Sequence, residues 1–190
     1  MSAKNFALLA QILFLTACVS MQDYPTAWGK PTLGSTGACP QVSGTFQNVG
    51  ERGDLLSRSN LAWQLLSKRA SSLKEASGLA SHADRVVIQM PDSNTVSIRI
   101  LSSDSVVNEF TLVREKKEFS CEGGFLAIPK GLSASSGEGG VLGFSNDTAF
   151  LALSDGGFLV VKEVSAGAGV AMFIPIAAFV TTWSRYQPAQ

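Results

Sequence analysis

The chain has 190 residues, 15 of them basic and 15 acidic, so its formal net charge at pH 7 is zero. This balance gives no positive field of the kind that attracts nucleic acid, and we expect no nucleic-acid partner. The length suits one domain with a proper hydrophobic core. A charged fraction of 16%, 18 glycines and a second half rich in β-branched and aromatic residues predict a mainly β domain.

Residues 1–17 have the three parts of a secretory signal. Lys4 supplies a positive start, Phe6 to Leu15 form an apolar run, and small residues follow. As a helix that run covers about 15 Å, half of a hydrocarbon core, which is too short for a stable span. We therefore predict a signal peptide over residues 1–17.

The end of this segment, Leu15-Thr16-Ala17-Cys18, resembles the lipobox of bacterial lipoproteins. The resemblance implies that Cys18 receives a diacylglyceryl group and that the chain is cut before it and acylated. Two or more acyl chains hold a protein on a membrane stably. Val19 is not the Asp that retains lipoproteins in the inner membrane, which favours the outer membrane, facing the periplasm. A Gram-positive surface, or an ordinary secreted protein, is the alternative.

If Cys18 carries lipid, Cys39 and Cys121 are the two cysteines that remain to pair with each other. In an oxidising compartment we expect them to form a disulfide. The alternative is a pair of free or metal-binding thiols. Zinc would find few ligands, since the chain has one histidine, His82, and no Cys-x-x-Cys. We expect no metal and no other cofactor.

The chain after the signal divides into two parts. Residues 18–38 are rich in Gly, Pro, Ser and Thr without an apolar period, which predicts a lipidated tether. Residues 39–187 predict a single antiparallel β domain. Its one helix is indicated by an apolar period near 3.6 from Leu55 to Leu73 and ends at Gly78. We expect this helix to pack on the sheet, with a membrane-surface helix as the alternative.

Alternating apolar and polar residues predict most of the strands. The pattern is clearest over Val96–Ile100, where the Val and Ile side chains would be buried and the Ser and Arg side chains would be exposed to solvent. Asp155-Gly156 is typical of a hairpin turn. Because short connections imply antiparallel neighbours, we predict a meander of about seven or eight strands. Such a sheet would be curled and barrel-like, or a sandwich.

Two later segments have a different character. Lys130–Gly140 is rich in Gly and Ser and predicts a long, loosely ordered loop. Val164–Trp183 is uncharged and approaches the length of a membrane span. Pro175 and the glycines near Gly167 favour a buried loop-and-strand pair over a transmembrane helix.

Four motifs occur in a characteristic order. They are Cys39-Pro40-x-x-Ser43-Gly44-x-Phe46-x-Asn48-x-Gly50, Leu61-Ala62-Trp63-x-Leu65-Leu66, Cys121-x-x-Gly124-x-Leu126 and Trp183-x-Arg185-Tyr186. Together they resemble a group of uncharacterised proteobacterial envelope lipoproteins over about residues 39–187. The resemblance implies no known activity. It supports the disulfide and places residues 164–183 in a soluble domain.

No arrangement of residues predicts catalysis. The sequence has no Gly-x-Ser-x-Gly motif that would supply a nucleophilic serine for His82, so we expect a surface histidine rather than a catalytic base. Gly137–Gly143 precedes a strand instead of a helix and has no Gly-Lys-Ser/Thr ending, so we expect a flexible loop rather than a phosphate site. We predict no catalytic residues.

These features favour a non-catalytic envelope lipoprotein, structural or binding, held to the membrane by its lipid anchor. Its sheet could offer a groove to an apolar ligand, or its surface could meet an envelope protein. The alternative function is an interaction module that assists an envelope assembly complex. A third hypothesis, an enzyme, would have to use His82 or unrecognised carboxylates.

Overall fold

The structure, a computed structural model, describes residues 17–35, 37–53, 57–66, 72–137, 141–171 and 174–189. Apart from Ala17, the predicted signal peptide lies outside these residues. The described strands are β1 (Ala17–Met21), β2 (Pro31–Thr32), β3 (Gly44–Gln47), β4 (Val49–Arg52), β5 (Arg58–Asn60), β6 (Arg85–Asp92), β7 (Thr95–Ser102), β8 (Ser105–Val113), β9 (Ser120–Glu122), β10 (Phe125–Gly137), β11 (Val141–Ser154), β12 (Leu159–Ala171) and β13 (Ile174–Tyr186). The helices are α1 (Leu61–Leu66) and α2 (Leu73–His82), with single 3-10 turns at Thr26–Trp28 and Arg114–Lys116.

The strands form two sheets. The larger sheet has nine strands in the order β5-β4-β13-β12-β11-β10-β9, with β1 added on β13 and β2 on β11. The smaller sheet has the order β3-β6-β7-β8. All neighbours are antiparallel except β1 and β13, which are parallel. Beyond β13, the N–H of Ala189 donates to the carbonyl of Thr45 (2.8 Å), which joins the two sheets.

Buried side chains from both sheets and both helices meet in one cluster. The sheets are therefore the two layers of a sandwich around a shared core. This confirms the predicted mainly β, antiparallel fold and selects the sandwich from the two predicted shapes. The described residues contain more strands than the seven or eight expected, because residues predicted as loops are paired. They also contain two helices instead of one.

The smaller sheet follows the alternation that the sequence predicts. Val96, Ile98 and Ile100 are fully buried, and the residues between them are partly exposed. The hairpin between β7 and β8 turns at Ser103 and Asp104, whose φ angles are 48° and 68°. Two left-handed residues in succession give a turn whose twist matches that of the flanking strands.

Asn48 holds both helices against the core. Its buried side chain accepts a hydrogen bond from the N–H of Ala62 in the first turn of α1 (2.8 Å). It also donates to the carbonyls of Ala80 (3.0 Å) and Ala83 (2.9 Å) at the end of α2. Ser72 caps the start of α2 with its side chain. One buried amide therefore satisfies backbone groups at the ends of two helices.

The prediction of a single helix from Leu55 to Gly78 is wrong in two respects. Two helices occupy this region, with residues 67–71 between them and Leu55 outside the described part of the chain. The second helix also continues past Gly78 to His82. An interior glycine costs only about 1 kcal/mol relative to alanine, and the packing of Ala76 and Ala80 in the core offsets it.

The strands β10 to β13 are the longest elements, with 13 or 14 residues each. At about 3.3 Å per residue they are roughly 43–46 Å long. One end of each strand packs in the core, whereas none of the residues at the other end whose side chains the structure describes belongs to a buried cluster. These far ends, residues 131–137, 141–147, 165–171 and 174–180, are called the distal ribbon below.

Two predictions about this region need correction. The loop expected over Lys130–Gly140 is wrong for residues 130–137, which form part of β10, because β11 supplies hydrogen bonds to a Gly/Ser-rich backbone of weak strand preference. Residues 138–140 lie outside the described chain. Val164–Trp183 contains the predicted strand, as part of the β12–β13 pair, but Ala166, Ala168, Val170 and residues 176–179 are exposed rather than buried. Residues 172–173 of this segment lie outside the described chain. Across the described residues, neither helix has the length and apolar character needed to cross a membrane.

Residues 18–38, predicted as a lipidated tether, pack along the larger sheet where they are described. They contribute β1 and β2, and Trp28 between them is only 5% exposed. The tether prediction is wrong here because two aromatic side chains, Tyr24 and Trp28, pack against the sheet and hold a Gly/Pro-rich segment in place. Residues 22–32 are called the strap below.

Candidate functional site

Cys18, the predicted lipidation residue, lies in β1 at the edge of the larger sheet. It is paired with Ala178 of β13, and the next residue, Val19, is paired with Phe179. Both partners belong to the distal ribbon. The structure thus brings the predicted anchor and the ribbon together, a juxtaposition that the sequence did not predict.

The strap fixes the chain directly after β1. The N–H of Gln22 donates to the carbonyl of Thr181 (3.2 Å), and the Gln22 side chain accepts from the N–H of Trp183 (3.0 Å). The indole N–H of Trp183 donates to the carbonyl of Gln22 (3.0 Å). These bonds begin immediately after β1 ends at Met21, so no free linker separates Cys18 from the folded domain.

Aromatic rings hold the strap on the sheet. Tyr24 lies edge-on to Trp183 and Trp28, with ring centroids 4.9 and 6.2 Å apart. The guanidinium of Arg185 lies 5.2 Å from the Trp28 ring and 4.8 Å from the Phe158 ring. Each contact has the geometry of a cation–π interaction. Burial in this cluster raises the pKa of the Tyr24 hydroxyl above its ordinary value.

One face of the distal ribbon is apolar. Side chains of directly paired residues lie on the same face of a sheet, and successive residues alternate between faces. Among the residues of β1 and β11–β13 whose side chains the structure describes, the register therefore places on this face Val19, Phe144, Ala166, Ala168, Val170, Ala177 and Phe179, together with the polar Asn146. The large side chains are exposed: Val19 by 63%, Phe144 by 60%, Val170 by 44% and Phe179 by 37%.

The opposite face of the ribbon carries mostly small or polar residues. Among β11–β13 residues whose side chains the structure describes, this face holds Gly143, Ser145, Asp147, Ser165, Gly167, Gly169 and Ala178, together with the larger apolar Ile176 and Val180. Cys18 of β1 is paired with Ala178 and therefore has a register position on this face. Asp147 accepts a hydrogen bond from the Ser165 hydroxyl (2.6 Å). No Lys, Arg or Glu occurs in the four ribbon segments, and Asp147 is their one acidic residue. The ribbon is therefore an amphipathic, nearly uncharged sheet.

Sequence reasoning missed this surface although its signal is present. Phe144 and Asn146 alternate with Gly143 and Ser145, and residues 165–170 alternate small polar or glycine positions with Ala and Val. A period of two is typical of a strand with two different faces. The glycine content of these segments favoured loops instead.

Cys39 and Cys121 form the predicted disulfide, with their Cα atoms 4.8 Å apart and a separation of 82 positions along the chain. A bond that closes a loop of this length restricts the unfolded chain, by about 4–5 kcal/mol in the loop-closure model. It joins the start of the domain to β9. The alternative of free or metal-binding thiols is wrong.

The residues considered for catalysis do not assemble into a site. His82 is exposed at the C-terminal end of α2. Within the described ranges, no group of three or more His, Cys, Asp or Glu residues could hold a metal ion. A surface groove of about 640 Å³ is lined by Arg52, Arg58, Arg185 and Glu51 among others. Its charge does not suit the apolar ligand considered from the sequence.

Residues of the four sequence motifs serve packing. A Cβ on Gly50 would lie 2.4 Å from the Arg185 carbonyl and from the Tyr186 ring, so glycine allows β4 to approach β13. The Tyr186 hydroxyl donates to Gln64 (2.9 Å) and lies 2.7 Å from the Ser59 hydroxyl. Burial raises the pKa of Tyr186 well above its ordinary value. These motifs hold the larger sheet and α1 together.

Comparisons with known proteins add no relative. Models of protein families, curated protein sequences and solved structures were compared with this chain, and none of them matches.

Proposed function

We propose that the protein is a non-catalytic lipoprotein of the bacterial envelope, anchored through Cys18 and held close against its membrane. The outer membrane, with the domain facing the periplasm, is the proposed location. The observation that most directly supports this proposal is the position of Cys18 in β1, where the folded domain begins without an intervening linker. The basic start, apolar run and lipobox-like Leu15-Thr16-Ala17-Cys18 support the same proposal.

The disulfide also supports this function. A disulfide between Cys39 and Cys121 suits an oxidising compartment such as the periplasm. The role that follows is structural or binding: the domain presents its surfaces at a fixed, short distance from the bilayer.

Metabolic labelling tests the anchor. Cells that express the full chain with radiolabelled palmitate should label the wild-type protein, which should fractionate with outer membranes on a density gradient. Cys18→Ser should lose the label and leave the membrane fraction. As a matched control, the double variant Cys39→Ser/Cys121→Ser should keep the label. Equal partition of wild type and Cys18→Ser, or no label on the wild type, would refute the proposal.

A second candidate, an interaction module for an envelope assembly, is favoured by the edge of the smaller sheet. β8 ends that sheet, and its Val106 and Val107 are 48% and 37% exposed. An edge strand offers unpaired backbone groups to a strand of another protein. Crosslinking in intact cells through a photoreactive residue at 107, with one at 99 on the central strand β7 as control, should capture one dominant protein if this candidate is right.

A further inference from the structure

We propose that β1 and the strap, residues 18–32, form a releasable clamp. In the closed form, which this structure shows, the clamp fixes the short distance between Cys18 and the domain. In the released form it becomes the flexible tether that its composition predicts. The change of distance rests on the proposed function, because it takes Cys18 to be anchored in a membrane, whereas the release itself does not depend on the anchor.

The clamp packs in a small cluster of its own, apart from the main core. Trp28 is the one buried residue of the strap, and it lies with Val160 and Trp183, against which Tyr24 and Phe125 also pack. None of these residues belongs to the cluster that joins the two sheets and the helices. Local opening costs least where few buried apolar contacts have to break. The clamp can therefore leave the larger sheet while the sandwich stays folded.

β1 contributes backbone pairing but little burial. The side chains of Val19, Ser20 and Met21 are all exposed, Val19 by 63% and Met21 by 68%. Releasing β1 from β13 exchanges its backbone hydrogen bonds for bonds to water, and each such exchange changes the free energy only modestly. These three side chains have little apolar surface left to lose to water.

Gln22 is the polar fastening between β1 and the aromatic part of the strap. Its backbone N–H donates to the carbonyl of Thr181, and its side chain accepts from the backbone N–H of Trp183. Its carbonyl accepts from the indole N–H of Trp183. Closure therefore depends on one glutamine and one buried indole, both of which substitution can remove singly.

The chain directly after the clamp is firmly held. The N–H of Gly34 donates to the carbonyl of Gly124 (2.8 Å), and Cys39 is bonded covalently to Cys121. Release therefore stops before Gly34. A flexible chain of the length of the clamp spans roughly 20 Å on average and about 50 Å when fully extended. The domain would move that far from its anchored residue and stay attached to it.

The disagreement between composition and packing supports two states of the clamp. The Gly, Pro, Ser and Thr residues of this part of the chain predict a flexible segment, yet the segment is packed. Natural sequences mostly agree in local preference and tertiary packing, and the exceptions are concentrated where a segment has a function that needs them.

Hydrogen exchange tests the release without any lipid. NMR would follow the mature chain with Cys18→Ser, secreted behind a cleavable signal. The indole N–H of Trp183 should exchange at least about 100-fold faster than the backbone N–H of Ile98 in the core, with little dependence on urea. Exchange of both groups at one rate, with one urea dependence, would mean that the clamp opens only when the whole domain unfolds and would overturn the proposal.

A glutamine variant makes this test specific to the clamp. Gln22→Ala removes a side-chain bond but keeps the carbonyl that accepts from the indole, so it should speed exchange of the indole about fivefold and leave Ile98 unchanged. The matched control is Gln89→Ala, at an exposed glutamine of β6, which should change neither rate. Equal effects of the two substitutions on the indole would contradict the fastening by Gln22.

Energy transfer in vesicles tests the change of distance. The lipid-anchored protein would carry a donor dye at Ser93→Cys, an exposed turn position of the smaller sheet, in vesicles of phosphatidylethanolamine and phosphatidylglycerol with acceptor lipids. Gln22→Ala/Trp28→Ala should lower the transfer efficiency, whereas Gln89→Ala should keep the wild-type value. Transfer that is equal in all three proteins would overturn the change of distance. If Cys18 carries no lipid in cells, the proposed function fails, and early exchange of the indole would still support the release.

Discussion

At the scale of single residues, two buried polar side chains organise the core. Asn48 bonds backbone groups of both helices. Tyr186 brings its hydroxyl to Ser59 and Gln64, and Gln64 also lies 3.4 Å from Glu163 of β12. Buried polar groups are stabilising only when their partners are present, so these contacts fix one packing of the helices on the sheet.

Tyr186 should make stability fall at alkaline pH. Its folded-state pKa is raised above the ordinary value of 10, so the contribution is fully present below pH 10 and is lost as pH rises further. The wild type should lose up to about 1.4 kcal/mol of unfolding free energy per pH unit above pH 10 through this group. Tyr186→Phe should show a flatter profile there, and should be about 1–2 kcal/mol less stable at pH 7 because it removes the buried hydrogen bonds of the hydroxyl with Gln64 and Ser59.

Urea unfolding between pH 7 and pH 11.5 measures both effects. Tyr24→Phe is the control and should flatten the alkaline slope less, because its hydroxyl is less buried. Superimposable slopes for the wild type and Tyr186→Phe would show that this hydroxyl does not govern the alkaline behaviour.

At the scale of elements, pairing partners override local preference. The β10 segment Gly131–Gly137 is made of Gly, Ser, Ala and Leu and has little strand preference of its own. It becomes a strand because β11 runs antiparallel beside it from Leu126↔Leu151 to Gly137↔Val141. A bulge between Pro129 and Gly131 adjusts the register along the way.

Two glycines should respond to alanine in opposite directions. Gly78 lies inside α2 with nothing within 4 Å of an added Cβ, so Gly78→Ala should stabilise the protein by about 0.5–1 kcal/mol. Gly50 faces the Arg185 carbonyl and the Tyr186 ring, so Gly50→Ala should destabilise it by about 1–3 kcal/mol. Midpoints of urea unfolding at pH 7 compare the two variants with the wild type. A stabilised Gly50→Ala would contradict the close approach of β4 to β13.

At the scale of the whole molecule, one covalent bond and one packed strap hold the chain ends on the sandwich. The disulfide joins Cys39, just after the strap, to β9 on the larger sheet. The strap covers the outer aromatic face of that sheet, and the C-terminal residues bond to β3 of the smaller sheet. The position of Cys18 relative to the core is therefore set by tertiary contacts.

Removing the disulfide should lower stability without changing the fold. The double variant Cys39→Ser/Cys121→Ser should lose about 2–5 kcal/mol of unfolding free energy. Urea unfolding followed by tryptophan fluorescence measures the loss, and the wild type reduced with dithiothreitol should give the same midpoint. Equal midpoints for oxidised and reduced wild type would mean that the bond does not constrain the unfolded chain.

The sequence by itself determined the features that depend on local pattern or on residue chemistry. Alternation over Val96–Ile100 predicted β7 because a half-buried strand needs an apolar side chain at every second position. The predicted pairing of Cys39 with Cys121 followed from cysteine chemistry. His82 had no partner motif, and the structure leaves it exposed at the end of α2.

Only the tertiary structure decided the features that depend on partners distant in sequence. The strap packs because Tyr24 and Trp28 meet Trp183, about 160 residues later, and no local pattern specifies that meeting. The Gly/Ser-rich part of β10 is a strand because β11 lies beside it. Cys18 lies beside the ribbon because β1 and β13, from opposite ends of the chain, pair in parallel. The hydrogen bonds and burial of this pair are set by the fold and not by either segment alone.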